Sequence, residues 1–179
     1  SKYKPPYQLN NTILTLVSKI SEAIGRLAFQ AEYSLMLRKV NRIRTIQGSL
    51  AIEGNTLSTE QITAILEGKR VIAPAREVTE AHNALATYEL LEQLNFTQES
   101  DFLTSHKTLM MGLVADAGLY RQGGVGVMSG NKVIHMAPPA DRVPQLMCDL
   151  FAWLAKCEEH PLIASCIFHY EFEFIHPFS

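Results

Sequence analysis

Two histidines near the end of the chain, His169 and His176, lie in the stretch PLIASCIFHYEFEFIHPF. Seven residues are two helical turns, so this spacing sets both on one helix face. The proline after His176 disfavours α geometry at His176 and predicts that the helix ends there. An imidazole is then left at a helix terminus, supported from one side and open on the other. Histidine is the side chain whose ordinary pKa lies nearest working pH, which suits a general base. At this local level a satisfied structural histidine would look the same. Zinc chemistry is disfavoured, because the spacing is not HExxH and the helix brings no third ligand at a familiar offset. No metal ligand is therefore assigned within these residues. A second pair, Ser49 and Glu53 in SLAIEGN, is four apart and shares one helix face. Gly54 and Asn55 follow, residue types that accept a left-handed helix cap. A carboxylate sits poorly against the negative end of a helix dipole, which marks Glu53 for attention.

The segments that must position these groups repeat apolar residues at helical spacing nearly throughout. Ile13, Leu16, Val17, Ile20, Ile24 and Leu27 mark a long amphipathic helix after Asn10 and Asn11. Val40, Ile43, Ile46 and Leu50 mark a second, ended by Gly54 and Asn55. Ser58 and Gln61 have capping-box spacing for a short helix that ends near Gly68. Further stripes run through Val78, Ala81, Leu85, Tyr88 and Leu91, and through Phe102, Leu103, His106, Leu109 and Met110 after Ser100 and Asp101. Val143 with Pro144 in a first turn opens another helix, followed by Leu146, Met147, Leu150, Trp153 and Leu154. Pro161 opens the last in the same manner, with Ile163, Ile167, Tyr170 and Phe174 expected on one side. One segment breaks the pattern: Val125, Val127, Val133 and His135 alternate about Ser129-Gly130-Asn131, which reads as a small β-hairpin. The expected fold class is all-α with one hairpin.

Composition narrows the function classes. At 179 residues, 47% apolar and 19% charged, the chain can bury one sizeable core and is not of disordered type. A net charge of −2 gives no global electrostatic case for nucleic acid or an anionic membrane. The three cysteines, Cys148, Cys157 and Cys166, form no CxxC. They read as small buried hydrophobes in a reducing compartment. No apolar opening run resembles a signal peptide and no stretch suits a bilayer span, so a cytoplasmic location is expected. Arg42 and Arg44 beside Lys39 read as a solvated helix face. His82, His106 and His160 show no arrangement with a nucleophile, and Trp153 is expected in the core.

The stretch ending in His176-Pro177-Phe178-Ser179 resembles the Fic family, whose signature is a helix ending in HPFx[DE]GNGRxxR. His176, Pro177 and Phe178 match its first three positions and Ser179 fills the variable fourth. Upstream, Gly118-x-x-Arg121, the hairpin, Pro138-Pro139, Val143-Pro144, Met147 and Trp153 are similar to the family's flap region. Ser49, Glu53, Gly54 and Asn55 fit its [ST]xxxE[GN] inhibitory motif. The resemblance covers nearly the whole chain. It implies a Fic-type helical domain with a hairpin flap, its C-terminal side incomplete within the signature. Residues 1–75 would be an N-terminal helical region bearing the inhibitory motif, and residues 76–179 the Fic core.

By this resemblance the protein is an adenylyltransferase that moves AMP from ATP, with Mg²⁺, to a Tyr, Thr or Ser hydroxyl of a target protein. His176 would be the base. Glu53, with Ser49 on its face, would be the inhibitory element at the nucleotide site. Gly126, Val127 and Met128 would form a flap edge that docks an extended target segment by β-augmentation. The acidic residue and the GNGR turn of the signature would lie past Ser179. The turn would cradle phosphate and the acidic residue would hold the metal, so residues 1–179 alone are expected to have little or no activity. No nucleic-acid or membrane partner is expected, and a homodimer is one arrangement that would bury or release the inhibitory helix. Two other readings stay open: a Fic-fold transferase of another phosphate-containing group, and a non-catalytic helical module that docks a partner through the hairpin.

Overall fold

The structure, a computed structural model, describes residues 3–28, 31–130 and 132–179. Seven α-helices are described: α1 Asn11–Ala28, α2 Ala31–Ile52, α3 Thr59–Leu66, α4 Ala75–Leu90, α5 Glu99–Met110, α6 Val143–Leu154 and α7 Pro161–Ile175. Between α5 and α6 stand two short strands, β1 Gly126–Ser129 and β2 Lys132–Met136, and a 3₁₀ turn at Ala140–Arg142. The all-α class with one hairpin is what the periodicity predicts. Of the expected turn, Ser129 and Gly130 are described, with Gly130 at φ 57°, while Asn131 lies outside the described residues.

Local chemistry sets the helix ends. Asn10 caps α1, its Oδ1 accepting from the Ile13 amide at 2.9 Å. Ser58 and Gln61 make a reciprocal capping box at the start of α3. At the end of α2 the Asn55 amide donates to the Leu50 carbonyl and the Gly54 amide to that of Ala51. Gly54 has φ 88°, so the end is a Schellman motif, which needs a residue without a Cβ penalty. His160 caps α7 by accepting from the Leu162 amide.

The chain folds as two compact bodies. One comprises residues 18–94 and 104–118, the other residues 1–17, 95–103 and 119–179. In the first, Ile43, Ile46, Leu57, Ile62, Ile65, Ala81, Ala84 and Leu85 form a buried core from α2, α3 and α4. Arg42 departs from its expected solvated place. Its guanidinium donates to the Leu85 carbonyl and lies over the Tyr88 ring, so it fastens α2 to α4. Asn83, in the middle of α4, donates to the carbonyls of Leu109 and Met111 at the end of α5. The expected stripe of α1 is present but exposed, with Leu16, Ile20, Ile24 and Leu27 all open to solvent.

In the second body Val143, Met147, Leu150, Phe151 and Ile175 are buried between α6 and α7, with Phe102, Tyr120, half-buried Trp153, Phe168 and Phe172 packed around them. The buried side of α7 is not the expected one. Ile163, Ala164, Glu171 and Ile175 face inward, whereas Tyr170 and Phe174 are exposed. The helix is apolar around much of its circumference, so periodicity could not choose a face. Glu171 is tolerated inside because the Tyr3 hydroxyl donates to it. Burial, with that bond second, raises the Tyr3 phenol well above its usual range. Tyr7 makes a parallel contact, donating to Glu159 at 2.7 Å. The cysteines also differ from expectation: Cys148 and Cys166 are exposed and Cys157 is half-buried, all three as free thiols. Cys148 follows Met147 and so falls beside the buried stripe of α6 rather than on it.

Candidate functional site

The end of α7 shows why three consecutive residues are needed at His176-Pro177-Phe178. α7 stops at Ile175, as the following proline predicts, and His176 caps it in the left-handed region with φ 47° and ψ 65°. It is the sole non-glycine residue with positive φ among the described residues. That conformation costs a residue with a Cβ about 1–2 kcal/mol, and it turns the His176 side chain off the helical path. The two-turn spacing to His169 therefore does not set both rings on one face; His169 is exposed on α7. Pro177 is fully buried. Phe178 stacks on Phe102 and lies against Tyr120 and Phe172 with centroids 5.6, 5.7 and 6.2 Å away. The imidazole is thus half-exposed while the two residues after it anchor the backbone.

The strain at His176 is held by Arg121. This side chain is 2% exposed, and its Nε donates to the His176 carbonyl at 2.7 Å. One terminal nitrogen donates to Gly123 at 2.7 Å, and the other to Pro138 and Ile175. The Arg121 amide donates to the Pro177 carbonyl at 2.9 Å. A guanidinium at the C-terminal carbonyls of α7 also complements the helix dipole. Sequence reading met Arg121 only as part of a motif. The available signal is that it is the sole basic residue between Lys107 and Lys132, within a run of glycines and apolar residues.

The hairpin lies in the same body. β1 and β2 pair antiparallel, Gly126 opposite Met136 and Val127 opposite His135, with a bulge between Val127 and Met128 that sets Met128 opposite Val133. Gly126 has a structural reason to be glycine: a Cβ there would stand 3.3 Å from the His135 carbonyl oxygen. His135 reaches α7, its Nε2 lying 2.9 Å from the Phe174 carbonyl and its ring 4.9 Å from that of Phe174. With oxygen as the partner, Nε2 carries the proton in that bond. Two residues thus tie the hairpin to the end of α7. His135 does so from β2, and Arg121 from the segments on both sides of the hairpin.

Ser49 and Glu53 belong to the other body. Both are exposed, and both line a cleft of about 740 Å³ with Leu50, Arg76, Glu80 and Tyr88. The Glu53 carboxylate makes no hydrogen bond or ion pair among the described residues, while the neighbouring Arg76 donates to Glu80 at 3.0 Å. The Gly54-Asn55 step is structural as well as terminal. Buried Asn55 donates to the Glu77 carbonyl and to Glu80 Oε2, and accepts from the Leu57 amide. Thr56 donates to Glu77 through both its amide and its hydroxyl. Glu53 is therefore carried on a segment bolted to α4. His106, also in this body, accepts from the Gly118 amide through Nδ1 at 2.8 Å. Burial outweighs the nearby Asp116 and holds His106 below the usual histidine range.

Residues 93–179 match the model of the Fic/DOC family. A Fic family protein of Desulfovibrio desulfuricans G20 has a solved structure that superposes with a TM-score of 0.91 at 57% identity. The match covers 98% of this chain and 55% of that one. Among curated proteins, the protein adenylyltransferase Fic of Nematostella vectensis is 27% identical across 92% of this chain and 40% of its own length. That of Aedes aegypti is 29% identical across 76% of this chain and 29% of its own. The chain thus spans about half or less of each relative. No helix among the described residues is long and apolar enough to cross a membrane. The chain thus carries a Fic/DOC family domain at residues 93–179, and nearly its whole length is similar to part of a Fic family protein of known structure.

Proposed function

We propose that the complete protein transfers AMP from ATP to a hydroxyl of a target protein, with His176 as the general base. The observation that carries this is the half-exposed imidazole on a strained but fully anchored cap. A structural histidine gains nothing from a left-handed backbone, whereas a base must be aimed. In the step, the target hydroxyl oxygen attacks the α-phosphorus of ATP, its proton passes to the His176 imidazole, and the bond to the departing pyrophosphate breaks. The names of the curated relatives support the reaction class. The unpaired edge of β1 at Gly126, Val127 and Met128 would take an extended target segment as a third strand. Magnesium belongs to this reading by family resemblance. Among the described residues no three His, Cys, Asp or Glu side chains come together, so no residue here is assigned to hold it.

Glu53 is the brake in this reading. Its carboxylate at the α2 C-terminus opposes the helix dipole, the last turn of α2 holds no basic residue, and among the described residues Glu53 makes no ion pair, Arg76 in the same cleft being paired with Glu80. The test uses the full-length protein with α-labelled ATP. His176→Ala should lower transfer by ~10²–10⁴-fold, and Glu53→Gly should raise self- or target-labelling. Wild-type transfer by His176→Ala would end the base assignment, and an unchanged rate in Glu53→Gly would end the brake. Competition by UTP and CDP-choline separates AMP transfer from transfer of another phosphate-containing group.

A further inference from the structure

We infer that Arg121 is a positioning residue that sets the His176 base and the hairpin as one unit. The inference rests on His176 being the base, and it concerns how that base is aimed. Arg121 is buried, yet among the described residues no carboxylate faces it. All four of its side-chain bonds go to backbone carbonyls. Two of those, Ile175 and His176, form the end of the helix that carries the base. The other two, Gly123 and Pro138, stand just before β1 and just after β2. A guanidinium is suited to this because its donors diverge in a fixed plane, so three chain segments are fixed at fixed angles to one another. The Arg121 amide adds a fifth bond, to Pro177, on the far side of the strained residue. The left-handed conformation of His176 is therefore held on both sides by one residue. A lysine in its place retains the positive charge. Its compact head cannot satisfy four carbonyls in the same plane, so the imidazole and the hairpin would each gain freedom while the buried charge stays.

Misaiming a catalytic group by about 1 Å costs on the order of 10²-fold in rate. In the full-length protein, Arg121→Lys should therefore lower kcat by ~10–100-fold while KM for ATP changes by no more than about twofold. Its melting curve should remain a single cooperative transition. Nitrogen-detected spectra of the His176 ring should broaden or shift in Arg121→Lys with no nucleotide present. Wild-type kcat per folded molecule, or an unchanged His176 ring spectrum, would overturn the inference. Should Arg121→Lys fail to fold, the wild-type protein still decides. The clamp requires a slowly exchanging Arg121 Nε–H, and a fast-exchanging, motionally averaged one overturns it. The two readings separate cleanly. A wild-type protein that transfers no AMP, but whose His176 ring signal moves in Arg121→Lys, refutes the reaction and supports the clamp.

Discussion

The left-handed backbone at His176 can be tested apart from any chemistry by comparing His176→Gly with His176→Ala. Both variants lack the imidazole, so neither has a base, and they differ only in a Cβ. At φ 47° that Cβ costs about 1–2 kcal/mol. Glycine loses about 0.4–1 kcal/mol through the greater freedom of its unfolded chain. The difference favours glycine by about 0.5–1 kcal/mol, or about 1–4 °C in melting temperature for a chain of this size. Urea midpoints and calorimetric melting on matched samples would measure it. Ser165 supplies the control, since it is exposed in the middle of α7, where glycine should be about 1 kcal/mol worse than alanine. Equal stability at position 176, or the helical order appearing there too, would refute the left-handed cap. The account of an aimed imidazole would then lose its geometric basis.

Asn55→Ala removes three hydrogen bonds and leaves the buried Leu57 amide unmet, so it should cost about 2–3 kcal/mol in urea unfolding. His106 is held below the ordinary histidine range, so the native state binds fewer protons than the unfolded chain as pH falls below that range. The stability it contributes is complete above about pH 6.5 and declines toward its folded pKa. His106→Asn, which keeps an acceptor for the Gly118 amide without a titrating proton, should flatten that decline in melting temperature. Val127→Pro should weaken target modification while sparing ATP binding by calorimetry, and equal loss of both would dismiss strand docking. Gly126→Val should disrupt the hairpin while leaving the helical circular dichroism intact, given the 3.3 Å approach of the His135 carbonyl.

What the sequence makes legible here is what neighbours in the chain decide. The capping box at Ser58, the glycine cap at Gly54, the prolines opening α6 and α7, and the stop before Pro177 all depend on residues within about one turn. Each could be read without a fold. Proline could say that α7 ends, but not that His176 would enter the left-handed well, because that choice is held by Arg121 from 55 positions away. Nothing near Glu171 in the chain marks it as buried, because its partner, Tyr3, lies 168 positions earlier. Arg42 seemed solvated for the same reason, since its acceptor on α4 is 43 positions distant. Val127 and Met128 could be placed on a strand from alternation, whereas the bulge between them is a property of the pairing.

The bond from Tyr3 to Glu171 makes the opening residues part of the helix that ends in His176. Cleavage between Tyr3 and α1 would take that hydroxyl away from the inner side of the helix. Trimming past Tyr3 would strand an acidic group amid hydrocarbon, so the choice of N-terminal boundary in any preparation becomes an intervention at the site itself.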